Sequence, residues 1–83
     1  MIITDVNEHI KVKLIMGNGT IKIVSLIWNN RVIPVEKITY RWVTKEGIYP
    51  IFHFAISSGA NIMEIHFNPV KLQWKIDRIH MEG

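Results

Sequence analysis

The chain contains no cysteine. Disulfide staples, thiolate nucleophiles and Cys-ligated zinc or iron–sulfur centres are therefore excluded. Its longest apolar-rich run, IVSLIW, falls far short of the ~20 residues a membrane-spanning helix needs. No block of like charge, low-complexity tract, internal repeat or Gly/Ser linker breaks the chain. Met1 is followed by IITDVNEHIK, which lacks the basic region, apolar segment and small-residue cleavage site of a secretory leader. A cytoplasmic protein with no membrane association is expected. Leucine is scarce, with three residues against sixteen isoleucines. That imbalance favours strands, because β-branched side chains suit a pleated surface and lose rotamer freedom in a helix.

What is present is one short domain, expected to span residues 1–83, with residues 1–8 as a flexible or folded-back segment. A chain of this length buries little more than ~60 % of its unfolded surface. The net charge of +3 is mild, permitting weak attraction to polyanions without demanding it.

Period-two alternation dominates, and no window carries a helical stripe. KVKLIM places Val12, Leu14 and Met16 on one face and runs into Asn18-Gly19, a strong two-residue hairpin signal. That turn pairs Met16 with Ile21 and Leu14 with Ile23. The phase slips at Ile23-Val24, as a β-bulge would produce. Asn29-Asn30 is the next turn, pairing Trp28 with Arg31, Leu26 with Ile33 and Val24 with Val35. Pro34 cannot donate to a ladder and marks an edge or bulge. After a slip at Glu36-Lys37, a three-residue loop around KEG pairs Trp42 with Pro50, Tyr40 with Phe52 and Ile38 with Phe54, turning Trp42 inward. A turn on Ser58-Gly59 sets Phe54 against Met63 and Phe52 against Ile65. NPVK sets Phe67 against Leu72, Ile65 against Trp74 and Met63 against Ile76. The expected fold is all-β: an antiparallel meander of six to seven strands curled into a small barrel or strongly bent sheet.

The stretches LIWNNRVIPVEKITYRW, MEIHF and WKIDRIH resemble a short bacterial all-β domain of unknown function. Its pattern runs from an aromatic-x-Trp turn through Arg and Val to a second Trp. It closes on a Glu-bearing strand and Trp-x-Leu-x-Arg-Val/Ile. Leu26, Trp28, Arg31, Val35, Trp42, Glu64, Trp74, Ile76, Arg78 and Ile79 fill those places over residues 26–79. Asn30 stands where a turn glycine is usual, and Ile33 where an aromatic is common. The resemblance implies the fold more than an activity. Some members of that family are associated with DNA-repair polymerase-like proteins.

In this register His53 faces Glu64, Glu64 faces Lys75, Ile51 faces His66 and Ala55 faces Ile62. Two histidines and a carboxylate on one face are the donor types of an open zinc or iron site. Lys75 beside Glu64 instead describes a solvated face of complementary charges, whose pairs contribute only ~0.2–1 kcal/mol. No phosphate loop, nucleophile elbow or carboxylate dyad is present. No catalytic residue, metal or other cofactor is therefore expected.

The same face is about half apolar, more than contact with water requires. It is either covered by Ile2, Ile3 and Val6 folding back, or it is an interface. The leading expectation is a non-enzymatic protein-interaction or assembly module, with a protein partner or a second copy docking on Tyr49, Ile51, Ile62, Arg41 and His66. The alternative is an accessory nucleic-acid-binding module using Arg41, His53, His66, Lys75 and Tyr49 as a stacking-plus-charge surface. A His/Glu metal-site enzyme stands third.

Overall fold

The computed structural model describes residues 2–82 as seven strands: β1 (Ile2–Gly17), β2 (Thr20–Trp28), β3 (Arg31–Pro34), β4 (Lys37–Glu46), β5 (Tyr49–Ser58), β6 (Asn61–Asn68) and β7 (Gln73–Met81). All pair antiparallel in one sheet of order β3-β2-β1-β7-β6-β5-β4. This is the order of a meander whose first and last strands have joined while the ladder stays open between β3 and β4. Strands β3 and β4 are the sheet's two edges. Between them the crossover is held from both sides: the Val35 amide donates to the Val24 carbonyl at 3.0 Å and the Glu36 amide to the Ser57 carbonyl at 2.9 Å. Ser58 Oγ also donates to the Pro34 carbonyl at 2.7 Å, and the Gly59 amide donates to the Glu36 carboxylate. Pro34 thus lies on the short edge strand, where its missing N–H leaves no ladder bond unmade. No helix among the described residues is long and apolar enough to cross a membrane.

The first two hairpins follow the expected register. Asn18 and Gly19 take φ of 50° and 75°, and Asn29 and Asn30 take 52° and 60°, the left-handed values a two-residue hairpin turn requires. They pair Met16 with Ile21, Leu14 with Ile23, Leu26 with Ile33 and Trp28 with Arg31. Lys13 pairs with Ser25 while Leu14 pairs with Ile23, so Val24 is the extra residue of a bulge where the alternation slips.

The remaining registers differ from expectation. The β4–β5 turn is two residues, Gly47-Ile48, with Glu46 opposite Tyr49. Ile38 pairs with Ile56 but Tyr40 with Ala55, so Thr39 is a bulge that reverses the phase of the strand. Its hydroxyl donates to the Ala55 carbonyl at 3.0 Å. Ile38 therefore packs on the core, whereas Trp42 pairs with His53 on the opposite face rather than pointing inward. The β5–β6 turn sits on Gly59-Ala60, moving the pairs by two residues: His53 faces His66, Phe54 faces Ile65, and Ala55, not His53, faces Glu64. On β6–β7, Phe67 faces Trp74, His66 faces Lys75 and Glu64 faces Arg78.

Residues 2–8 do not fold back over the sheet. Ile2, Ile3, Thr4 and Asp5 pair with Met81, His80, Ile79 and Arg78, and β1 becomes a central strand. The core enclosed by the bend contains Ile10, Ile23, Leu26, Phe54, Ile56, Met63, Ile65, Ile76 and Ile79. Leu26, Ile56, Ile65 and Ile76 are fully buried. Each such side chain is worth ~1.5–3 kcal/mol relative to exposure.

Candidate functional site

Two regions stand out, one on each face of the β4–β7 sheet. The polar one begins with the direct pair His53–His66 across β5 and β6, whose ring centroids are 5.5 Å apart. Asp77 joins them from β7. It has no register partner on either side, because Ile65 pairs with Ile76 and Glu64 with Arg78, while Glu8 pairs with Ile76 and Asp5 with Arg78. A bulge of this kind re-aims a side chain that regular pleating would hold in line. Asp77 Oδ1 accepts from His66 Nδ1 at 2.7 Å, and Asp77 Oδ2 lies 3.9 Å from His53 Nδ1. The other nitrogen of His53, Nε2, is hydrogen-bonded to Thr44 Oγ1 at 2.7 Å.

Trp42 covers His53, their rings stacked at 5.1 Å and 10°, and Tyr40 continues the row at 5.6 Å from Trp42. Burial under this cover pushes His53 below the ordinary histidine value. The Asp77 and Glu64 carboxylates pull the other way and His66 adds to the lowering. Beside the cluster lies a cleft of about 580 Å³ walled by Asn7, Ile51, Glu64 and Arg78. Glu64 is not part of the cluster's contacts. It is bonded to His80 Nε2, with Arg78 Nε 3.7 Å away.

The residues expected to form a docking face are separated by the structure. Tyr49 and His66 do lie on this face, with Ile62 toward its far end beside Ser57 and His80. Ile51 is only 6 % exposed and offers little area to a partner. Arg41 pairs with Phe54 and so projects from the opposite face, because the Thr39 bulge and the shorter turn together changed the parity. Lys75 sits opposite His66, not Glu64. Of the nucleic-acid set, His53, His66, Lys75 and Tyr49 share a face and Arg41 does not.

Asp77, Trp42 and Thr44 were not marked by spacing alone. A signal for Asp77 exists in WKIDRIH, where inward Trp74 and Ile76 are followed by inward Ile79. One residue too many separates them for strict alternation.

The second region is apolar. Phe52 pairs with Val43 and Phe67, and Phe67 with Trp74, so the four side chains form a stripe across β4–β7 beyond the enclosed core. Trp74 packs 4.9 Å from Phe67 and 5.7 Å from Phe54. Leu14, Met16 and Ile21 of the first hairpin face them across a cleft of about 520 Å³, with Arg41 at its margin. At its rim Met16 is 70 % and Phe52 37 % exposed. The chain matches no family model, no curated protein sequence and no solved structure.

Proposed function

We propose that the protein is a small binding module that associates with a protein partner, in the simplest case a second copy of itself, at the open apolar end of the bent sheet. The observation that carries this reading is the cleft between the first hairpin and Phe52, Phe67 and Trp74, with Met16 and Phe52 exposed at its rim. Contiguous exposed apolar surface of this kind, edged by a cation such as Arg41, is what protein interfaces use for their dry centre. The adjoining edge of β4 adds unpaired backbone groups that an incoming strand could satisfy. Mass by light scattering over a dilution series tests it. A dimer that dissociates in Met16→Lys supports the reading, because Met16 is too exposed for its loss to unfold the chain. Monomers at every concentration, or a dimer indifferent to Met16→Lys, reject association of two copies through this cleft.

A second reading, nucleic-acid binding, draws on the Tyr40–Trp42–His53 ring row, with Tyr40 67 % exposed. Such rings supply stacking platforms for bases, and Lys75 and Lys45 lie on or beside that face. Quenching of tryptophan emission by a single-stranded oligonucleotide, falling steeply as salt rises, is the expected behaviour. Quenching that ignores salt, or none, rejects it.

A further inference from the structure

The absence of cysteine leaves only imidazoles and carboxylates as strong metal ligands here, and four histidines supply the imidazoles. Three donor residues converge at one place. One ligand atom each from His53, His66 and Asp77 lies within 4.8 Å of the other two. Donors held about 2.0–2.1 Å from a tetrahedral ion are roughly 3.4 Å apart, so closing the set on an ion asks each donor pair to approach by no more than about 1.4 Å.

Their supports differ from those of a solvated surface trio. His53 and His66 stand on adjacent central strands as a direct pair. Asp77 is delivered by a bulge that takes it out of both ladders. Thr44 Oγ1 can accept the proton of His53 Nε2, which leaves the Nδ1 lone pair facing Asp77 and His66. An outer hydrogen bond of this type fixes the tautomer of a metal-binding imidazole. Trp42 stacked on the ring fixes its plane and keeps water from one side. His66 now donates from Nδ1 to Asp77. On ligation it would carry that proton on Nε2 instead and present Nδ1 to the ion.

Lys75, which the sequence register set beside Glu64, stands opposite His66, and Glu64 engages His80 and Arg78. Asp77 is thus the carboxylate closest to both imidazoles. We propose that His53 Nδ1, His66 Nδ1 and Asp77 form a site for one divalent transition-metal ion of the zinc–cobalt class, with its remaining coordination positions turned toward the adjoining cleft. Two imidazoles and one carboxylate suit such ions and leave room for water or a small anionic ligand.

The test titrates the full chain, stripped with chelator, with Zn²⁺ by calorimetry and with Co²⁺ by visible absorption. One equivalent of each, with a cobalt spectrum showing nitrogen ligation, is the expected result. His66→Gln and Asp77→Asn should abolish stoichiometric binding, and His80→Gln should leave it unchanged. Thr44→Val should weaken it by about 10–100-fold, the usual effect of losing an outer hydrogen bond. Should Asp77→Asn fail to fold by circular dichroism, His66→Gln and the cobalt spectrum decide. No stoichiometric binding in the wild type, or equal binding in wild type and His66→Gln, overturns the proposal.

Discussion

Replacing Trp42 with lysine separates the observed β4–β5 register from the one that simple alternation suggests. On the face shared with His53, the indole is partly buried between two rings, at 5.1 Å from His53 and 5.6 Å from Tyr40. Aromatic pairs of this kind are worth ~0.5–1.5 kcal/mol each beyond area, so losing two costs about 1–3 kcal/mol. A lysine stem can lie across His53 while its ammonium stays in water, which recovers part of that loss. The expected destabilisation is about 1–2 kcal/mol. Against a total stability of roughly 4–12 kcal/mol for a chain of this size, the variant remains folded. Urea unfolding at neutral pH should show an unchanged slope and a midpoint lower by about 1 M. Were Trp42 turned into the core, the same substitution would bury an unpaired ammonium, at several kcal/mol or more. A variant that is unfolded, or that loses more than about 4 kcal/mol, would refute the Thr39 bulge and the two-residue Gly47-Ile48 turn.

Three further outcomes are expected. Ile65→Ala, at a fully buried position between Phe54 and Ile76, should cost about 2–5 kcal/mol by chemical denaturation, whereas Ile15→Ala, at a largely exposed position, should stay within about 0.5 kcal/mol. Leu72 holds a φ of 54° while 76 % exposed, so Leu72→Asn should stabilise by up to about 1 kcal/mol; a loss would place the strain elsewhere. His53 is held below its ordinary value mainly by burial, so the unfolded chain takes up its proton first as pH falls. That contribution to stability is complete above the unfolded value near ~6.5 and is lost as pH drops through the lower folded value. Stability measured in chelator should fall less steeply below that pH in His53→Gln, and identical curves would contradict the assignment.

The all-β class and the first two hairpins were legible in the amino-acid order because local chemistry specifies them. Asn-Gly and Asn-Asn admit left-handed backbone at two successive positions and few alternatives, and flanking apolar residues then align in only one way. The slip at Val24 was readable for the same reason. The later turns carried no such constraint. Lys-Glu-Gly-Ile and Ser-Ser-Gly-Ala can each be centred in more than one place, and both faces of β5 are rich enough in large side chains to satisfy either parity. Only the assembled sheet chose, by seating Ile38, Phe54, Ile56 and Ile65 together and placing Thr39 out of line. The joining of β1 to β7 lies beyond any local signal, since Ile2–Ile10 and Trp74–Met81 are brought together by closure of the bend. The candidate site depends on that long-range event. His53 and His66 were visible as a pair of histidines on adjacent strands, but the third member, Asp77, is aimed at them by a bulge shared with both of its neighbouring strands. Its position is a property of three strands at once, which pattern along one strand does not contain.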